Sequence, residues 1–245
     1  MKRVATAFAI FLLCYVAYAQ PYGNEWINPA QTYFKIPVTQ KGIYRITQPQ
    51  LVSAGFPASI NPQFIQIFHR GQEQAIFVAG EGDGTFDASD YVEFYGKGND
   101  GTLDQQLYYP NTFNQVNPYH NLHSDTTAYF ITWRNGIAGK RMPILNLPDL
   151  GYTPESYLLE ERISVLAEQL SPGKNNFAST TFCYLASYDR GEGFTSTPIY
   201  SGSRDFLIPV QNAVSFGQSP YLEIRYVSRR VAPVSITFQV GSSVT

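Results

Sequence analysis

The chain has 245 residues with 17 Lys and Arg against 19 Asp and Glu, a formal charge of −2, and 15% aromatic residues, mostly Tyr and Phe. Such a balance offers no electrostatic attraction for nucleic acid or anionic lipid, so functions built on phosphate neutralisation are excluded. Abundant Tyr and Phe favour strands.

The first residues read as an export signal. Lys2 and Arg3 precede an apolar run from Val4 to Val16, and Ala17-Tyr18-Ala19 places small residues where a signal peptidase reads them. Cleavage after Ala19 leaves Gln20 as the new N-terminus, and the expected location is the periplasm, the outer membrane or the cell surface. The run is too short for a spanning helix, and no later stretch reaches membrane-spanning length. Cys14 is a poor lipidation site because Leu13 stands where a small residue is wanted. Loss of residues 1–19 removes Lys2 and Arg3, leaving 15 basic against 19 acidic side chains, a charge of −4. Cys183 is then the only cysteine, so the fold must be held by its core rather than by an internal disulfide.

Beyond the signal, period-two alternation dominates. In "TYFKIPV" Phe34, Ile36 and Val38 share one face, and "GIYRIT" follows across Gln40-Lys41-Gly42, which suits a hairpin. Pro37 cannot donate to a ladder, so this first strand is expected at an edge. "TQPQLVSAG" reads as a short helix with Thr47 as N-cap and Gly55 just past its end. "FIQIFH", "QAIFVA", "DYVEFYG" and "TAYFITW" are further strands, each bounded by turn-forming residues.

Gly, Pro and Asn cluster over residues 134–154, which predicts a linker between a β domain at 20–133 and a second at 155–245. "DFLIPV", "YLEIRYVS" and "VSITFQV" read as strands of that second part, consistent with a sandwich. "ESYLLEERISVLAEQL" fits helical spacing at Leu158, Leu159, Ile163, Leu166 and Leu170, and fits a strand pair equally well. The fold class expected is all-β, with two successive antiparallel sandwich-like domains. The second holds too few strands to close a sandwich, so the chain reads as the N-terminal piece of a longer polypeptide.

Four constellations could carry chemistry or binding. In "AGEGDGTFDASDYVEFYGKGNDG", Asp83, Asp87 and Asp90, with Glu81 and Asp100 nearby, supply the hard oxygen donors that calcium prefers. The spacing lacks the alternating acids and closing glutamate of an EF-hand loop, and glycine-acid turns account for the same residues. Cys183 sits in the apolar run "TTFCYLA", where a thiol packs as a small hydrophobe rather than acting as a nucleophile. His120 and His123, with Asp125 close by, invite a metal reading, although polar loop histidines are commoner. Tyr108, Tyr109, Phe113 and Tyr119 could form a carbohydrate platform or simply fill a core.

Taken in order, "YGNEWINPAQTYFKIPVTQKGIYRIT", "LVSAGF", "NPQFIQIFHRGQEQAIFV", "SDYVEFYGKGNDGTLDQQLY" and "DTTAYFITW", and then "SYDRGEGF", resemble the N-terminal, non-catalytic region of PorU-like sortases. These belong to the type IX secretion system of Bacteroidetes and carry gingipain-like cysteine peptidase domains. The resemblance runs from about residue 22 onward. It implies that the catalytic His and Cys lie in a downstream caspase-like domain, and no position in 1–245 matches them; Cys183 is not that cysteine. It further implies a parent protein that removes C-terminal sorting domains from secreted cargo and attaches the cargo to surface lipopolysaccharide. The expected partners are the downstream peptidase domain of the same chain and, through the whole protein, the cargo; no cofactor other than calcium is expected. The alternative is a secreted carbohydrate- or protein-binding sandwich module.

Overall fold

A computed structural model of the chain describes residues 23–146, 148, 151, 153–173, 187–209, 211–228, 235–240 and 243–244. The signal sequence, including Cys14, Ala17 and Ala19, and the run containing Cys183 lie outside the described residues. The chain is all-β: its regular elements among the described residues are mostly strands in antiparallel sheets, with one short α-helix and short 3-10 segments.

Two sheets are formed by the residues up to about 143. The first contains β1 (Phe34–Val38), β7 (Thr127–Trp133), β3 (Ile65–His69) and β4 (Gln72–Gln74), in the order β1-β7-β3-β4. The second contains β2 (Gly42–Thr47), β6 (Tyr91–Gly96) and β5 (Ile76–Ala79), in the order β2-β6-β5. Strand β1 does lie at an edge, the position in a sheet where a proline such as Pro37 is tolerated. The expected β1–β2 hairpin is not formed. Residues 39–41 carry the chain from one sheet to the other, so β1 neighbours β7 and β2 pairs with β6. A polar three-residue connection suits either outcome, and the choice falls to the distant strands. The run "QAIFVA" is divided at Ala75 into β4 and β5, which join different sheets. Between β3 and β4, Arg70 (φ 49°) and Gly71 (φ 78°) make the two-residue turn whose twist suits a hairpin.

Alternation explains the core. Ile65, Ile67 and Ile131 from one sheet, and Ile76, Val92 and Phe94 from the other, are fully buried. Aromatic rings connect the two sheets. Tyr44 stacks on Phe94 at 5.6 Å, Phe94 meets Tyr129 at 5.1 Å, and Tyr129 lies parallel to His69 at 4.1 Å. The far side of the first sheet is covered by Trp26, which stacks on Phe68 at 5.1 Å and contacts Phe130 and Tyr33. Gln31 and the Thr32 carbonyl complete that cover: Gln31 Nε2 donates to the Trp133 carbonyl, and Thr132 Oγ1 donates to Thr32.

His69 bears on stability through pH. Burial, aided by the Arg70 charge, holds its imidazole below the ordinary value. The unfolded chain therefore binds this proton more readily than the folded one. The contribution is complete above the unfolded pKa near 6.5 and is lost as pH falls through the folded pKa. The expected result is a Tm that declines from pH 7.5 to 5.5 and declines less in His69→Phe. Parallel profiles would refute it.

Helix α1 (Gln48–Ser53) forms where expected, and its ends explain why so short a helix is stable. Thr47 Oγ1 accepts the Gln50 N–H while Gln50 Oε1 accepts the Thr47 N–H, a reciprocal capping box. Pro49 occupies the first turn, and Gly55 takes φ 96° beyond the last. Thr47→Ala should cost about 1 kcal/mol, read from a chemical denaturation midpoint.

Contacts group the chain into two compact units that interleave along the sequence. One takes in the described residues up to Pro37, Gly42–Gly96 and Ala128–Pro143; the other takes in Val38–Lys41, Lys97–Thr127 and the described residues from Ile144. The sequence reading drew consecutive segments, and the grouping differs for identifiable reasons. Strand β7 joins β3, and Lys140–Met142 hydrogen-bond along β5, so residues 128–143 group with the sheets. Residues 107–114 are instead tied to 188–192: the Tyr188 N–H donates to the Leu107 carbonyl, and the Gly191 N–H donates to Asn114.

In the second unit β8 (Gln169–Pro172) pairs with β9 (Glu192–Thr195), and β10 (Gln239–Val240) pairs with β11 (Ser243–Val244). "ESYLLEERISVL" is neither helix nor laddered strand, and the described parts of "DFLIPV" and "YLEIRYVS" carry no ladder either. They nonetheless keep an antiparallel arrangement through side chains. Tyr157 meets the Phe216 ring edge, Arg162 Nη1 donates to the Pro209 carbonyl at 2.7 Å, and Glu168 pairs with Arg204. Arg204 above all, with the Thr197 N–H, holds the Glu168 carboxyl down to about 2. Leu158, Leu159, Leu207 and Tyr221 remain largely exposed, so these segments have a strand pattern without a partner sheet.

Candidate functional site

The acidic stretch is built around two left-handed glycines. Gly80 (φ 83°) and Gly84 (φ 80°) bracket a 3-10 turn at Glu81–Asp83. Asp83 Oδ1 accepts the Thr85 N–H at 2.9 Å, a local turn closed by its own side chain. Asp90 is buried. Its Oδ2 accepts the Asp87 N–H at 2.8 Å, and its own N–H donates to the Asp87 carbonyl at 2.9 Å. Its carbonyl also accepts the Gln48 N–H, which fixes the start of α1 against the start of β6. Glu81 is paired with Arg141 at 2.7 Å, and the same guanidinium donates to the carbonyls of Pro62 and Ile65. The carboxylates of Glu81, Asp83 and Asp90 thus have defined structural roles, with oxygens turned to backbone amides or to arginine, while Asp87 takes part through its backbone.

A second polar cluster organises residues 99–125. Asp104 is buried and accepts the Asn121 side-chain amide and the Leu122 N–H, both at 2.8 Å. Asn121 Oδ1 in turn accepts the N–H groups of His123 and Ser124 at 2.9 Å. This shapes "PYHNLHSD" as a loop wrapped on a buried carboxylate. His120 packs edge-on against Phe194 at 4.8 Å, so its ring serves packing. Asp100 pairs with Lys97 and accepts the Thr102 N–H. Burial pushes its carboxyl up, but those two partners outweigh it and leave it below the ordinary value.

The tyrosines divide. Tyr108 is buried, and its hydroxyl donates to the Glu192 carbonyl at 2.6 Å; burial, then Glu192 and Asp104, push its phenol well up. Tyr109 is 75% exposed and Phe113 is 95% exposed, while Tyr119 is about half exposed. Phe113 follows Asn111, whose Oδ1 accepts the Phe113 N–H and caps a single 3-10 turn at Thr112–Asn114. The four aromatics therefore do not form one platform: Tyr108 is core, and the others are surface.

Among the described residues, no group of three or more His, Cys, Asp or Glu could hold a metal ion. The structure brings Asp87 and Asp90 together as turn partners, and neither His123 nor Asp125 joins His120 in such a group. Among the described residues, no helix is long and apolar enough to cross a membrane. The roles of Arg141 and of the Asp104–Asn121 pair were not anticipated. Nothing in the neighbourhood of Arg141 marks it, whereas Asn121 two residues before a polar loop turn is a recognisable turn signal. Comparisons with protein-family models, curated proteins and solved structures find no match to this chain.

Proposed function

We propose that this chain is the exported, non-catalytic β-rich segment of a gingipain-like cysteine peptidase, similar to the sortases of type IX secretion. One observation carries the proposal: six sequence blocks resemble that family's N-terminal region in the same order. Five of them coincide with framework elements, covering β1 with β2, α1, β3 through β5, β6 and β7. The sixth, "SYDRGEGF", supplies the β9 strand start. In this reading the segment supports or positions a downstream peptidase domain, and cargo meets the whole protein in the periplasm or at the outer membrane. The acidic stretch at Asp83, Asp87 and Asp90 is architectural, so neither calcium nor a chelator should move the melting temperature.

The decisive experiment removes residues 20–245 from the full-length protein and measures processing of sorting-domain cargo. Loss of processing, with the peptidase domain still folded, is the expected outcome. Undiminished processing would refute a supporting role. An amino-terminal peptide beginning at Gln20, found by mass spectrometry of the envelope fraction, tests export separately.

A second reading, a secreted module that binds neutral carbohydrate, is favoured by the exposure of Tyr109 and Phe113 in a stretch, 105–119, that carries no charged residue. Aromatic faces with neighbouring amides suit neutral sugars. Glycan binding lost in Phe113→Ala would support this reading over the first.

A further inference from the structure

The outer face of the β2-β6-β5 sheet is a regular grid. Ile43 lies opposite Tyr95 in one row, Arg45 opposite Glu93 and then Phe77 in the next, and Thr47 opposite Tyr91 and then Ala79 in the third. Three large apolar side chains stand in water there: Ile43 is 62% exposed, Tyr95 46% and Phe77 39%. The face is also rigid. The Arg45 guanidinium lies 4.0 Å over the Tyr91 ring, and Phe77 contacts Tyr91 with ring centres 6.1 Å apart. Tyrosine and arginine on a preordered surface are the residue types that dominate binding energy at interfaces.

The charges on this face are self-complementary. Arg45 Nε and Nη2 both converge on one oxygen of Glu93, Oε1, at 2.8 and 2.7 Å. Among the described residues, Oε2 of Glu93 makes no ion pair or hydrogen bond. The face thus carries one cation and one anion side by side on adjacent strands, with no net charge. A partner of single sign gains nothing from it. A copy of the same face, turned over about an axis that runs along the strands midway between β2 and β6, lays β2 over the other copy's β6. Every row then matches: Ile43 meets Tyr95, Arg45 meets Glu93, and Thr47 meets Tyr91. Two antiparallel sheets stacked in this way pack about 10 Å apart, as in a sandwich.

We infer that this sheet face is a homodimer interface, with Arg45 of each copy meeting Glu93 of the other. Its size bounds the strength. The two overlapping strands, about 4.8 Å apart with six residues of about 3.3 Å each, present roughly 200 Å². That is below the roughly 800 Å² per partner of a standard stable interface, so association is weak and reversible.

Sedimentation velocity of the purified protein from about 1 µM to 1 mM reads this directly. The wild type should shift from monomer toward dimer. Arg45→Glu and Glu93→Arg should each weaken dimerisation at least about tenfold, because like charges then face each other. Mixing the two variants in equal amounts should restore a heterodimer, since one face is then doubly negative and the other doubly positive. Near-UV circular dichroism checks that both remain folded, and if either does not, Ile43→Ser weakens the same contact without touching the ion pair. A wild type that stays monomeric, two folded variants that fail to associate when mixed, or dimerisation unaffected by any of the three substitutions would each overturn the inference.

Discussion

Phe94→Ala is expected to destabilise the fold by about 3–5 kcal/mol, the range for removing a buried aromatic side chain. Phe94 is fully buried and lies between the Tyr44 and Tyr129 rings, so truncation removes the middle of the aromatic column that joins the two sheets. The ring neighbours on both sides are themselves held in ladders, which limits how far the cavity can collapse. A fall in Tm of roughly 10 °C by circular dichroism is the corresponding reading. The next residue, Tyr95, points the other way and is half exposed. Tyr95→Ala, measured at low protein concentration, should change stability by no more than about 1 kcal/mol. Equal effects at the two positions would contradict the assignment of inner and outer faces.

Gly80→Ala is expected to cost roughly 3 kcal/mol, for two reasons that act together. Gly80 has φ 83°, a conformation in which a side chain is strained. A Cβ there would also fall 1.9 Å from Oδ1 and 2.4 Å from Cγ of Asp90. Asp90 cannot move aside freely, because it is buried and holds the Asp87 N–H. Asp90→Ala alone leaves that N–H without its acceptor and should cost about 1–3 kcal/mol. The double variant relieves the clash, so its loss should fall short of the sum of the single losses by about 1 kcal/mol or more. Strict additivity would show that the two residues do not share one turn.

The acidic stretch shows how far residues could be read in advance. Glycines flanking short acids predicted turns, and the turns are there at Gly80, Gly84 and the Asp87–Asp90 pair. That Glu81 is held by Arg141, sixty positions away, could not be read, because nothing local distinguishes Arg141 from other surface arginines. Likewise "LYY" contains three apolar residues in succession, yet Tyr108 is buried under Glu192 while Tyr109 is exposed. Which tyrosine faces inward depends on a strand more than eighty residues later. The helix at Gln48–Ser53 was legible because both its caps are made by residues within or beside it.

Strand character, the edge position of β1, the capped helix and the tight turns were determined by the chain's local order, since alternation, proline and glycine act over a few residues. Which strand pairs with which was decided only in three dimensions. Residues 39–41 could close a hairpin or cross between sheets, and they cross: β1 lies beside β7 while β2 pairs with β6, partners some fifty to ninety residues away that no local signal names. The same reason governs residues 155–168: their apolar spacing admits a helix or a strand pair, and the structure forms neither, because a ladder needs backbone partners and those belong to tertiary structure rather than to sequence.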